Sequence, residues 1–234
     1  VSNIGVTKEE ILTLTKKYTN IPMDVMEWRV DWYEDVTDTA KVIETAKEIR
    51  ELLGEIPFLF TFRTSKEGGN FQLPDEDYKT LNIAVAQSGY VDIVDVEIFT
   101  GDEIVTEMIE KIHAAGAKII ASNHDFDQTP SQSDIVYRLR KMQDMGADIP
   151  KIAVMPQCKK DVITLLAATE EMATNFATQP IITMSMAAQG SVSRLSGEYF
   201  GSALTFGAGE AASAPGQISA DQLNDVLTII HNSL

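Results

Sequence analysis

Two periods of apolar residues trade places along the chain. Runs dominated by apolar and β-branched residues occupy positions 23–30, 57–63, 90–99, 117–122, 149–155, 180–186 and 200–207. Between them lie amphipathic stretches, among them 39–53, 75–87, 102–115, 131–145, 160–175 and 219–232. Short continuous apolar runs predict strands buried on both faces, and the longer periodic stretches predict helices with one apolar face. Asp102 before Glu103 and Ser131 before Asp134 supply helix-start signals, and Gly54, Gly116 and Gly146 stand where helix C-caps are expected. Successive strands are about 30 residues apart, the length of one βα unit.

This alternation predicts a parallel sheet covered by helices. Seven strands are clear. The opening Val1-Ser2-Asn3-Ile4 supplies the tail of an eighth, a first strand cut short at the N-terminus. Eight strands close a (β/α)8 TIM barrel, so the expected fold is α/β, with residues 1–234 forming a single barrel domain. The alternative is an open doubly wound sheet. It would carry a glycine-rich turn after its first strand, and neither G-x-G-x-x-G nor G-x-x-x-x-G-K-[ST] occurs.

Composition narrows the partners. The 234 residues are 44% hydrophobic and 23% charged, with a formal net charge of −16. Such an excess of negative charge argues against nucleic acid and against anionic membrane surfaces. It also makes the arginines conspicuous: Arg29, Arg63 and Arg194 fall where strands end or loops follow, whereas Arg50, Arg138 and Arg140 lie in helical stretches and are expected to be solvated. One cysteine, Cys158, excludes an internal disulfide and fits a reducing compartment. No apolar run approaches the length of a membrane span and no signal-peptide pattern opens the chain, so it reads as cytoplasmic. Three histidines, one cysteine and the lack of H-x-x-x-H or C-x-x-C spacing argue against a zinc site.

The chemistry starts from Lys151, inside the apolar run Ile149-Pro150-Lys151-Ile152-Ala153-Val154-Met155. Burial disfavours an ammonium, and a free amine is the nucleophile that forms a Schiff base with a ketone. A lone lysine in a strand more often faces solvent or a carboxylate. Here the ends of the other strands also gather polar groups, at the face where barrels carry their active sites. Glu27, Arg29 and Asp31 share a face by period-2 alternation, Arg63 is followed by Glu67 in a glycine-flanked loop, and Asp92, Asp95 and Glu97 mark the fourth strand. Asn123-His124-Asp125 closes the fifth, and His124 is a natural proton shuttle if it faces Lys151. His113 and His231 lie in helical stretches and are read as solvent-facing. Met184 and Met186 are read as filler or pocket wall. The long small-residue loop from Phe206 to Gln217 resembles a lid, with Gly207, Gly209 and Gly216 as hinges, and Glu210 within it disfavours a phosphorylated substrate.

These residues carry a resemblance. Glu27-Trp28-Arg29-Val30-Asp31, Thr61-Phe62-Arg63-Thr64 with Glu67-Gly68-Gly69, Asn123-His124-Asp125-Phe126, Pro150-Lys151-Ile152-Ala153-Val154-Met155, Thr183-Met184-Ser185-Met186, Ser193-Arg194, and Gly201-Ser202-Ala203-Leu204-Thr205-Phe206 with Ser213-Ala214-Pro215-Gly216-Gln217 occur in that order. The chain resembles the type I 3-dehydroquinate dehydratases, the Schiff-base lyases of the shikimate pathway, over essentially its whole length. It departs from them at the start, where the family has a further N-terminal segment.

The resemblance implies dehydration of 3-dehydroquinate to 3-dehydroshikimate with Lys151 as imine-forming nucleophile, His124 as general base and acid, and Glu67 orienting His124. It implies that Arg194, Ser213 and Gln217 clamp the substrate carboxylate, that Glu27, Arg29 and Arg63 hold the ring hydroxyls, and that Ser2 is the serine at the first strand end. Asp95, Met184, Met186 and Phe206 support these. No metal or cofactor is implied, and the partners are the small-molecule substrate and a second copy in a homodimer. Two other readings compete: a class I aldolase-like barrel, which usually needs a phosphate or open-chain sugar site, and a non-catalytic binder of small acids.

Overall fold

A computed structural model describes Val1–Leu234. Its strands are β1 (Ser2–Asn3), β2 (Met26–Arg29), β3 (Phe58–Thr61), β4 (Ile93–Glu97), β5 (Lys118–Asp125), β6 (Ile149–Val154) and β7 (Ile182–Ser185). Its helices are α1 (Lys8–Tyr18), α2 (Thr39–Leu53), α3 (Asp75–Gln87), α4 (Asp102–Ala114), α5 (Gln132–Asp144), α6 (Lys159–Asn175), α7 (Ser191–Phe200) and α8 (Ala220–His231). The strands follow one another in the sheet in chain order, β1 to β7. That order excludes the doubly wound alternative, whose strand order reverses at a switch point. The fold is α/β of the (β/α)8-barrel class with a short first strand. No helix is long and apolar enough to cross a membrane.

The chain divides into two compact units, Val1–Ile120 and Ala121–Leu234. In the first, β1 to β4 pair in parallel, with Ser2 opposite Glu27 and the row Arg29, Thr61, Asp95 running across β2, β3 and β4. Trp28, Phe58, Phe60, Val94 and Val96 are fully buried, and the Trp28 and Phe60 rings meet edge to face at 5.8 Å. Helix starts are set by local chemistry. Thr7 and Glu10 form a capping box on α1, and Asp38 accepts from the first amides of α2. Asp102 is the first residue of α4 rather than its cap, since Gly101 takes that place. Arg50 is not a solvated helix residue. It donates to the carbonyls of Gly54, Ile56 and Tyr90 and pairs with Asp92, which sits before β4, away from Asp95 and Glu97.

In the second unit β6 and β7 pair in parallel, Lys151 opposite Ile182 and Ala153 opposite Met184. Ser131 caps α5 through the Asp134 amide. Arg138 is engaged too, with Asn123 and Asp134, whereas Arg140 is exposed as expected, 4.6 Å above the Phe176 ring.

The strand expected over residues 200–207 is largely absent. Phe200 ends α7, and only Ser202 bridges to Ile181. The cause is a side chain standing in for a ladder. The Thr183 amide of β7 donates to Ser202 Oγ at 3.0 Å, and the Ser185 amide donates to Ser193 Oγ at 2.9 Å. With those two donors satisfied by hydroxyls, β7 has no backbone amide left to pair a strand at those positions. Ser202→Ala strands the buried Thr183 N–H, so we expect a loss of about 1–3 kcal/mol in a urea titration. An unchanged midpoint would show that this edge is held by something else.

Candidate active site

The first unit supplies carboxylates and two guanidiniums from adjacent strand ends. Glu27 accepts from the Ser2 hydroxyl and, at 2.8 Å, from Thr61 Oγ1. Arg29 forks onto Asp31 through two bonds of 2.8 Å. Asp31 does not continue the strand face of Glu27 and Arg29, because Val30–Trp32 turns into a single 3₁₀ turn and folds the carboxylate back. Asp31 also accepts from the Arg63 and Asn70 amides, which ties the loop after β3 to the end of β2.

Arg63 is the hub of this unit. It is buried and lies 2.7 Å from Asp95, 2.9 Å from Glu97 and 3.6 Å from Glu67. Burial alone would lower its pKa, but the three carboxylates outweigh it and hold the guanidinium above its ordinary value. Glu97 is fixed in turn by the Thr64 amide and hydroxyl. Glu67 closes the 3₁₀ turn Ser65–Glu67 and is itself buried.

The second unit holds Lys151, the expected nucleophile, and the other arginine. Lys151, on β6, is 4% exposed, with its Nζ 4.5 Å from the centre of the buried Phe206 ring. His124 lies half-buried near the end of β5. Arg194, in the first turns of α7, is 1% exposed. Its Nη1 meets Met184 Sδ at 3.5 Å, its Nη2 meets the Pro215 carbonyl at 3.4 Å, and its Nε has no partner. No carboxylate faces it. Burial therefore acts unopposed and lowers its pKa to about 10. Met186 is buried just past β7.

The loop that follows is fastened at both feet. Ala208 bridges Ser219, and the Ala187 amide donates to Pro215 at 3.1 Å. Ser213 and Gln217 bond each other twice, at 2.8 and 3.0 Å. Among the expected hinges only Gly216 has a positive φ, 77°, and a Cβ there would lie 2.2 Å from the Ala187 oxygen. Ala187 itself sits at φ 55° and ψ 179°, a region that is nearly glycine-only. His113, His231 and Cys158 lie exposed and outside both groupings.

Sequence patterns alone did not single out Thr61, Thr64, Ala187 or the Pro215 carbonyl. For Thr61 the signal would be strand register. For the other three it is tertiary geometry.

A family model described as type I 3-dehydroquinase matches residues 1–234. The chain belongs to the type I 3-dehydroquinase family. A 3-dehydroquinate dehydratase from Salmonella agona is 52% identical over 233 residues, which are 100% of this chain and 92% of the relative. One from Clostridioides difficile is 49% identical over 231 residues, covering 99% and 91%. The crystal structure of a type I enzyme from Clostridium difficile, with covalent modified comenic acid, superposes with a TM-score of 0.97 at 49% identity, covering 100% of this chain and 92% of that one. As a member of the type I 3-dehydroquinase family the chain is an enzyme, and its fold is theirs.

The pairing of Gly216 with Ala187 yields a test. Gly216→Ala brings a Cβ against the Ala187 oxygen at a φ that side chains avoid, so we expect a cost of about 1–3 kcal/mol. It should also speed proteolytic cleavage within residues 207–217. Cleavage at the wild-type rate would mean that this contact does not hold the loop.

Proposed function

We propose that the chain dehydrates 3-dehydroquinate to 3-dehydroshikimate through an imine on Lys151. Family membership and relatives near 50% identity support the substrate. In the geometry, the observation that carries the reading is Arg194. A guanidinium this buried, with no carboxylate opposite, costs several kcal/mol to desolvate and is made good by an anionic ligand. The substrate carboxylate is such an anion, and a planar fork binds it through two parallel bonds. Ser213 and Gln217, one loop away, complete the clamp.

The steps follow from ordinary imine chemistry. The Lys151 amine adds to the C3 carbonyl carbon, the carbonyl pair goes to oxygen and takes up a nitrogen proton, and the hydroxyl departs as water with a proton from the His124 imidazolium, leaving a protonated imine and a neutral imidazole. His124 takes a C2 proton, and the C–H pair moves through the new double bond to nitrogen, giving an enamine. The enamine pair returns as the C1–O bond breaks, with His124 delivering its proton to the departing hydroxyl. Hydrolysis frees product and amine. Glu67 orients His124. Glu27, Arg29 and Arg63 meet the ring hydroxyls, with Ser2 beside Glu27 and Asp95 holding Arg63, while Met184, Met186 and Phe206 form the wall. The sequence motifs support these roles, and the covalent modified comenic acid of the Clostridium difficile relative fits a reactive amine in this family. The proposal extends to a single catalytic domain, since one family model spans both compact units, and to a cytoplasmic homodimer of the shikimate pathway that needs no added cofactor.

Borohydride with 3-dehydroquinate should leave a reduced adduct on the Lys151 peptide, read by mass. Lys151→Ala should abolish turnover, and His124→Ala should keep the adduct while turnover stops. Unmodified protein under conditions where the ketone demonstrably binds would favour the acid binder instead. Arg194→Lys replaces a two-bond fork by a point charge, so KM should rise roughly tenfold or more with a smaller change in kcat. An unchanged KM would put the carboxylate elsewhere.

A further inference from the structure

The Phe206 ring has a contact that wall-building does not require. Its face covers Lys151 Nζ at 4.5 Å from the centroid, and both side chains are buried. An aromatic face attracts a cation within about 6 Å and is nearly indifferent to a neutral amine, and the attraction is larger when the pair is desolvated. The ring therefore distinguishes the charge states of the one nitrogen that changes charge during an imine reaction.

The backbone around Phe206 is built to hold that ring still. Gly207 packs so tightly on α8 that a Cβ would lie 3.1 Å from Ala220 Cα and 3.3 Å from Leu223. The next residue is clamped on both sides, the Ala208 amide donating to Ile218 at 2.7 Å and its carbonyl accepting from Ala220 at 2.9 Å. On the other side Ala203 donates to Ile181. A wall residue needs only its volume. A ring that must present its face to one atom needs its backbone fixed at both ends.

We propose that Phe206 is a positioning residue that acts through Lys151, stabilising positive charge on Nζ in the two steps that create it. This rests on the lysine-imine reading above. In the first step, the neutral carbinolamine loses water: the His124 imidazolium gives a proton to the departing hydroxyl as its C–O bond breaks, the nitrogen lone pair forms the C=N bond, and the nitrogen becomes cationic. In the second, the neutral enamine expels the C1 hydroxyl: the enamine pair shifts to carbon, the C1–O pair leaves, and the nitrogen becomes cationic again. The proton removal between them discharges the nitrogen and is not helped by the ring. The face thus favours imine formation and elimination at the expense of the C2 proton removal.

The test replaces Phe206 by its mono-, di- and trifluorinated analogues in the full-length chain. Fluorine drains the ring face of its cation affinity while leaving its shape nearly unchanged. Borohydride trapping of 3-dehydroquinate on Lys151 in a single turnover should slow in a graded series, roughly tenfold by the trifluoro ring. Phe206→Tyr should retain most of the rate and Phe206→Leu should lose it, with thermal stability followed in every variant. Equal trapping rates across the fluorinated series, on a wild-type enzyme that does form the adduct, would overturn this role and leave the imine reading intact. No adduct on wild-type enzyme would overturn the imine reading and this proposal with it.

Discussion

A guanidinium buried without a counter-ion is the constraint around which the second unit is arranged. Arg194 loses its hydration and gains only a thioether and one carbonyl. Left alone, that is among the least favourable placements a side chain can have. Arg63 shows the opposite solution in the same chain, with three carboxylates within 4 Å of it. One arginine is neutralised by the protein, and the other, on the reading proposed above, receives the substrate carboxylate. Buried charge of the first kind fixes structure, and buried charge of the second kind recruits an anion.

Keeping an uncompensated cation in place requires rigid neighbours, and the residues next to Arg194 provide them. Ser193 accepts from the Ser185 amide and donates to the Gly190 carbonyl at 2.7 Å, so the first turn of α7 is pinned to β7 one residue from the guanidinium. Met184, from the same strand, lies under Nη1. Pro215 is held by the strained Ala187 and so brings its carbonyl to Nη2. Two costs, a left-handed alanine and an interrupted sheet edge, sit side by side at the position where a ligand anion would offset them.

The sequence revealed some of this and not the rest, for physical reasons. Helices α2 and α3 have the bounds expected from periodicity because the Asp38 cap of the first and the first-turn acids of the second are local. Helix α1 carried a readable capping box that periodicity alone passed over. Helix α7 was hidden, since three serines and a glycine in ten residues are poor helix formers, and it is held by tertiary bonds from Ser193. The strand expected over residues 200–207 failed for the related reason that hydroxyls, invisible to an apolar pattern, took the ladder positions. In the candidate site, charged residues in or at the end of apolar runs pointed to Lys151 and Arg63, whereas Arg194, expected at a strand end or in the loop after one, lies in α7. Asp31 was misplaced because period-2 counting assumes that the strand continues. Which arginine lacks a carboxylate partner could not be seen at all, since that depends on how far carboxylates on other strands reach.

The same distinction in magnitude applies to Lys151. On the proposed imine route its nitrogen is neutral to attack, cationic as imine, neutral as enamine and cationic again before release. A full negative charge 4 Å away would weight the cationic states by about 4 kcal/mol at an effective dielectric of 20, enough to make the neutral stages rare. An aromatic face weights them by about 0.5–2 kcal/mol. A nitrogen that must cross between charge states in every cycle is better served by the smaller bias, because each unit of help in the charging steps is a hindrance in the discharging one. A buried ring held by backbone bonds at both ends gives that bias a fixed size and direction.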